Sequence, residues 1–235
     1  AGALRIDPGG SVSVDSYLQT EGELRVNGTL TGQVTLLGGN LTGGVLGSSI
    51  NGNTLVGGAG GGPAQEPPNC GNAFFACFRP GNSPGHMDIF GDLTMGANSI
   101  LELEIERDAN GVLTWDSVFA ESMSFESGST IRVLVGAGVP GAAVVDLELL
   151  RCGAGGCDFG PAQFVVLGGA GGEFSVGSEG LHFAVAAAPV PEPGTWAMWA
   201  IGLAALTGSQ WRRRRAGYLP ASRTRNIAGS WQART

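Results

Sequence analysis

Lysine is absent from this chain, and all 13 of its cationic side chains are arginine. Only six of these, Arg5, Arg25, Arg79, Arg107, Arg132 and Arg151, precede residue 212. Acids, in turn, are missing beyond Glu192. The first 193 residues therefore set six arginines against 20 acids, a net charge of −14, and the remainder carries +7. Binding of nucleic acid needs a basic face, which such a body does not offer. The acidic balance speaks of solubility and of repulsion from anionic polymers.

Histidine is also scarce. His86 and His182 are the only two, and neither sits in a nucleophile motif. Ser83 and Ser129 lie in glycine-rich turns without a Gly-x-Ser-x-Gly elbow, and no His-Glu-x-x-His is present. No catalytic residue, cofactor or metal is expected. Asp88 with Asp92, or Asp108 with Asn110, offers at most a weak Ca²⁺ alternative to ordinary turn chemistry, since neither fills an EF-hand pattern. Glu102, Glu104 and Glu106 read as a solvated strand face, with an acidic row in a glycan groove as the alternative. A polysaccharide lyase or hydrolase would need clustered carboxylates with a cationic partner, and the body has few cations to serve.

What is abundant is glycine, 42 of 235 residues against a usual ~7%. It falls in short steps between apolar residues and forms no collagen-like triplet. Over residues 11 to 60, Val12 and Val14 alternate with serine, and Leu24 and Val26 with Glu and Arg. Leu-Thr-Gly recurs, at Leu30-Thr31-Gly32 and at Leu41-Thr42-Gly43. Helices need a period of 3.6 and suffer from glycine at this density, whereas short period-2 runs suit strands that stack on one another. Residues 57 to 85 form a Gly/Pro/Asn-rich break. Longer strands are expected after it, at 100–106, 115–119, 130–135 with Ile131, Val133 and Val135 inward, 143–150, 163–167 and 181–187. Asp108-Ala109-Asn110-Gly111 reads as a turn.

The run Pro80-Gly81-Asn82-Ser83-Pro84-Gly85, then Ile89-Phe90-Gly91-Asp92-Leu93-Thr94, then the 100–106 strand, Trp115-Asp116-Ser117-Val118 and Gly128-Ser129-Thr130-Ile131, resembles the closing coils of autotransporter-like β-helical passenger domains. That resemblance covers only part of the body and implies a right-handed β-helix or β-solenoid. A β-sandwich is the alternative within the all-β class.

The four cysteines form two close pairs, Cys70 with Cys77 and Cys152 with Cys157. Each pair brackets a small Gly- or Asn-rich loop, so local disulfides are expected, with free thiols or zinc as alternatives. The spacings miss the Cys-x2-Cys of zinc ribbons.

The C-terminus has three parts in order. Val190-Pro191-Glu192-Pro193 comes first, then an uncharged span from Gly194 to Trp211, then Arg212, Arg213, Arg214 and Arg215. Pro-Glu-Pro alone would occur by chance in roughly 3 of 100 such chains; the ordered set is far more specific. As a helix the span rises roughly 27 Å against a hydrocarbon core of ~30 Å. Trp196, Trp199 and Trp211 suit the two interfaces, and the arginines hold their end in the cytoplasm. An ordinary single-pass anchor would share these features. The set resembles the tail of PEP-CTERM surface proteins. That likeness implies processing near Pro191-Glu192-Pro193 by an exosortase, and delivery to the cell surface or exopolysaccharide matrix of a Gram-negative bacterium. Here Ala216 to Thr235 continue past the arginines, longer than such tails usually run.

The expected organisation is an exported β-rich domain at 1–187, a Pro-rich linker with the sorting motif at 188–193, a transmembrane helix at 194–211 and a basic cytoplasmic tail at 212–235. Ala1-Gly2-Ala3 fits the small-residue end of a signal-peptidase site, and an export signal is expected to precede it. The expected role is structural or adhesive. Partners are the exosortase, the membrane as a transient anchor and, through a glycan-binding face, extracellular polysaccharide. Trp115 is the one tryptophan of the body for such a face.

Overall fold

The computed structural model describes residues 2–45, 47–57, 70, 75–81, 84–139, 145–168 and 172–185. These belong to a unit spanning Ala1–Ala188; the remaining unit, Pro189–Thr235, lies outside the described residues. The described residues contain strands and no helix. The strands are β1 Gly2–Ile6, β2 Ser11–Gln19, β3 Gly22–Val26, β4 Thr29–Leu36, β5 Gly39–Gly43, β6 Ser49–Asn51, β7 Thr54–Val56, β8 Ala76–Arg79, β9 His86–Met95, β10 Ser99–Arg107, β11 Leu113–Trp115, β12 Ser117–Phe125, β13 Thr130–Val135, β14 Val145–Asp158, β15 Gln163–Gly168, β16 Gly172–Val176 and β17 Gly180–Val185.

Two sheets take the strands almost by turns. Sheet one has the order β1-β3-β5-β8-β10-β13-β15, with β11 attached to β10. Sheet two has the order β16-β17-β14-β12-β9-β6-β4-β2, with β7 between β4 and β9. Pairing is parallel throughout, except for the β10–β11 hairpin and for β17, which runs antiparallel to both β14 and β16. Parallel strands in one sheet need a return path, and here each return is a strand of the other sheet.

In-register stacking turns the period-2 pattern into apolar columns. In sheet one Leu4, Leu24, Leu41, Phe78, Leu101, Ile131 and Phe164 stand one above another. Sheet two has Val12, Leu30, Ile50, Ile89, Ala120 and Cys152 in one column. A second column runs Tyr17, Val34, Thr54, Leu93, Met123 and Cys157. Their middle members are sealed from solvent, Leu24, Leu41, Phe78, Ile50 and Ile89 being 0% exposed. A single short strand cannot bury its own face; the stack does it. One end of the core is closed by rings in series, Phe125, Phe159, Phe164, Phe174 and Phe183, at centroid separations of 5.3, 6.3, 5.0 and 4.9 Å.

Glycine is required where sheet two bends between its two columns. Gly32 and Gly52 have φ of 136° and 153°, and a β-carbon on either would overlap the carbonyl oxygen of the stacked residue, Val14 or Gly32. This bears on the Leu-Thr-Gly repeat. Its copies lie in β4 and β5, which are on different sheets, so the repeat marks the step from one sheet to the other. The steps between stacked strands are longer: Gly2 stands on Gly22 and Glu23 on Asn40.

Several expectations are corrected in detail. The 57–85 break contains β8, which pairs with β5 on one side and β10 on the other. The expected 115–119 strand is divided at Asp116, where β11 ends and β12 begins. Strand β14 extends to Asp158, so Cys152 and Cys157 lie within a strand. Ala120 pairs with Cys152 and Ser122 with Gly156, which leaves the intervening residues of β14 bulged from the ladder. The Asp108–Gly111 turn is present, closed by Gly111 N–H to Asp108 O at 2.9 Å.

Candidate functional site

Alternation places one set of side chains in the core and the other on an outer face, and the two outer faces differ. On sheet one, Arg5, Arg25, Thr42 and Arg79 occupy one row across the strands. Glu102 stands opposite Arg132 on the next pair. Contrary to the expected solvated acidic row, Glu102 is 5% exposed. Its Oε1 lies 2.8 Å from Arg79 Nε, and its Oε2 pairs with Arg132 Nη2. The reason is a cover. Cys70 and Phe75 pack with Cys77 and Ile100 over the outer side of β10. Arg132 also donates to Cys70 Sγ at 3.3 Å. A carboxylate withdrawn from water needs such partners. Glu104 is half-buried and Glu106 exposed, so only the end of the row is solvated as expected.

Both cysteine pairs are joined. Cα separations are 5.5 Å for Cys70–Cys77 and 5.7 Å for Cys152–Cys157, within the ordinary disulfide range. The first ties the cover to β8. The second links the ends of the two apolar columns of sheet two across the β14 bulge.

The outer face of sheet two is built of hydroxyls and aromatics. Ser49 donates to Thr29 at 3.3 Å, Ser124 to Thr94 at 3.3 Å, and Ser122 to Asp92 Oδ1 at 2.6 Å. Higher on the same strands, His86 Nδ1 lies 2.8 Å from Ser117 Oγ and its Nε2 lies 2.9 Å from Asp88 Oδ1. The Arg151 guanidinium sits 5.4 Å over the Phe119 ring, and Phe90 meets Phe119 edge-on at 6.4 Å. Trp115 Nε1 donates to the Glu148 carbonyl at 3.0 Å. Between these groups lies a pocket of about 220 Å³.

A serine, a histidine and an aspartate in hydrogen-bonded series invite comparison with acyl-transfer triads, which also need backbone N–H groups aimed at a developing oxyanion. Ser117 N–H is spent on Gly85 O, and β12 is paired on both sides, with β9 and β14. The arrangement fixes the imidazole and offers no such cradle from the strand that carries the serine.

Asp116, between the two faces, is the most perturbed acid. It is 2% exposed and accepts from Gly85 N–H at 2.6 Å and Glu104 N–H at 2.9 Å. Burial pushes its carboxyl from the usual 3.8 up to about 6, with Glu104 and Glu106 adding in the same direction. The two N–H bonds oppose the rise without cancelling it.

The remaining candidates have local partners. Asp108 accepts from Val112 and Asn110 N–H at 2.8 and 2.9 Å, and these bonds, Val112's first, hold its carboxyl below the usual value. Asp88 and Asp92 serve His86 and Ser122, as above. Ser129 donates to Glu126 O at 2.6 Å, and His182 lies at 3.4 Å from Asp146. Among the described residues no group of three or more His, Cys, Asp or Glu could hold a metal ion. Ser83 falls outside the described residues. The sequence reading missed Ser117, Phe119 and Arg151. The signal was there in the outward positions of successive strands of sheet two, since Ser117 stacks on His86, but only with the register known.

The body is thus an all-β unit with two cysteine pairs at bonding distance, the build of a protein from an oxidising compartment. Residues 189–215 match the PEP-CTERM protein-sorting motif. The matched span includes Val190, Pro191, Glu192 and Pro193 and closes on Arg212, Arg213, Arg214 and Arg215. It marks an exported protein with a C-terminal sorting signal and a transient membrane anchor. The expected membrane helix at 194–211 and the sorting residues themselves lie outside the described residues. Among the described residues no helix is long and apolar enough to cross a membrane. No curated protein matches the chain.

Proposed function

We propose that this chain is a non-enzymatic structural or adhesive protein of the bacterial surface or exopolysaccharide matrix, carried there by a tail that an exosortase removes. The observation that carries the reading is the sorting motif at 189–215, which follows closely on the last strand, ending at Val185. The tail is a peptide, an apolar span and a positive stop in sequence, so an enzyme in the membrane meets Pro191-Glu192-Pro193 at the outer interface. The body is a β-solenoid of the autotransporter-like type. Parallel pairing with strands taken alternately by two sheets supports this over a sandwich, whose sheets are mainly antiparallel. Such a stack presents two ladder-ordered outer faces. Its setting is the outer surface of a Gram-negative cell.

Fractionation of the native host with and without its exosortase tests the reading. Surface or matrix location should depend on the enzyme, with the full-length chain held in the inner membrane when it is missing. Equal surface delivery in both strains contradicts it.

A further inference from the structure

We propose that the pocket on the outer face of sheet two is a subsite for one neutral pyranose ring of a polysaccharide. Its volume, about 220 Å³, is below the ~300–1,000 Å³ of pockets for drug-sized ligands and suits a single ring. Trp115 is 38% exposed while its indole N–H is held by Glu148 O, so the ring is fixed and one side of it stays available to the C–H face of a sugar. His86 is clamped between Ser117 and Asp88, and with its Nε2–H on the Asp88 carboxylate its Nδ1 takes the Ser117 O–H, which leaves the serine oxygen lining the pocket as an acceptor. Glu148 and Arg151 line the same space, one an acceptor pair and the other a fork of donors. A sugar hydroxyl is donor and acceptor at once, and two neighbouring hydroxyls complement that pair.

The charge pattern selects neutral sugars. The two charged lining residues, Glu148 and Arg151, cancel, so a uronate carboxylate meets no net positive site. At longer range the first 193 residues, with a net charge of −14, repel a polyanion. Phe90, 52% exposed and edge-on to Phe119, extends the aromatic surface next to the pocket for a following ring. A cavity of about 290 Å³ on sheet one is lined by Glu23, Arg25, Thr42, Arg79 and Glu104 and has no aromatic wall. It lacks what a pyranose face needs.

This inference concerns the body alone, and its test is independent of export and tail processing. The purified full chain is titrated by calorimetry and saturation-transfer NMR with the methyl pyranosides of glucose, galactose and mannose, and with glucuronate. At least one neutral glycoside should bind with a dissociation constant on the order of 1 mM and ahead of glucuronate. Trp115→Ala should weaken it at least tenfold with an unchanged circular dichroism spectrum, and Glu148→Gln several-fold. Arg25→Ala, on the other sheet, should leave affinity unchanged. No binding by any neutral glycoside, tighter binding of glucuronate, or affinity indifferent to Trp115→Ala would overturn the proposal.

Discussion

The early and late parts of the body use the same two sheets differently. From β1 to β7 the chain moves economically. In sheet two Ser11 stacks on Thr29 and Thr29 on Ser49, so little chain is used between one layer and the next. The outer side chains there are hydroxyls and exposed charges. After β7 the steps lengthen, as Ile100 stacks on Thr130 and Thr130 on Gln163. The extra chain forms a cover over β10, a hairpin at β10–β11 and a bulge in β14. The two disulfides, the buried ion cluster, Asp116 and the aromatic pocket are all in this later part. The early passes are held mainly by apolar columns, with the buried Gln19 amide donating to the carbonyls of Gly22, Gly38 and Asn40; the longer ones fold back on an outer face and enclose charged groups, Glu102, Arg132 and Asp116.

The largest expected effect follows from Glu102. Glu102→Gln removes the counter-charge of Arg132, which is 6% exposed, and should cost about 3–5 kcal/mol in denaturant unfolding. Glu23→Gln in the early part, and Glu106→Gln at the solvated end of β10, should stay within about 0.5 kcal/mol. Equal effects at all three would erase the distinction between the parts.

A pH dependence comes next. Asp116 has a folded-state value raised from 3.8 to about 6, so the folded state holds its proton more tightly than the unfolded chain does. Its support is present below about pH 4 and lost as pH rises through 4 to 6, a displacement of about two pH units or about 3 kcal/mol. Melting curves from pH 4 to 7 should show wild type losing stability relative to Asp116→Asn over that window. Parallel curves would mean that the carboxylate is better solvated than its 2% exposure implies.

Smaller again is the second disulfide. Cys152 and Cys157 are close in sequence, and closing so short a loop constrains the unfolded chain by about 2 kcal/mol. The double serine variant should lose about that much and remain folded, because the columns it ends on are complete without it. Peptide mapping without reduction should recover Cys70–Cys77 and Cys152–Cys157; alkylation of all four thiols in the exported protein would remove this part of the contrast.

Strand content was legible because alternation such as Leu101, Leu103 and Ile105 against Glu102, Glu104 and Glu106 has one simple reading. The class of fold followed from glycine density. What alternation does not tell is what lies on top of the outer row. The burial of Glu102 depends on Cys70 and Phe75, well before it in the chain, and on Arg132, on the next strand of the same sheet. The Ser117–His86 contact similarly depends on a register that no local pattern encodes. Asp116 looked like part of a strand, since nothing in Trp-Asp-Ser signals that its carboxylate takes two backbone N–H groups from other segments. The sorting motif was legible because its signal is linear order, which needs no folding to be read.

The fate of that motif decides whether the chain is exported and its tail removed. Surface material from the native host, digested after glutamate, should yield a C-terminal peptide that begins at Gly180, after Glu179. Mass spectrometry should find it ending before Trp196, with no peptide from Trp196 onward. Recovery of Arg212–Arg215 on the mature surface protein would contradict the account.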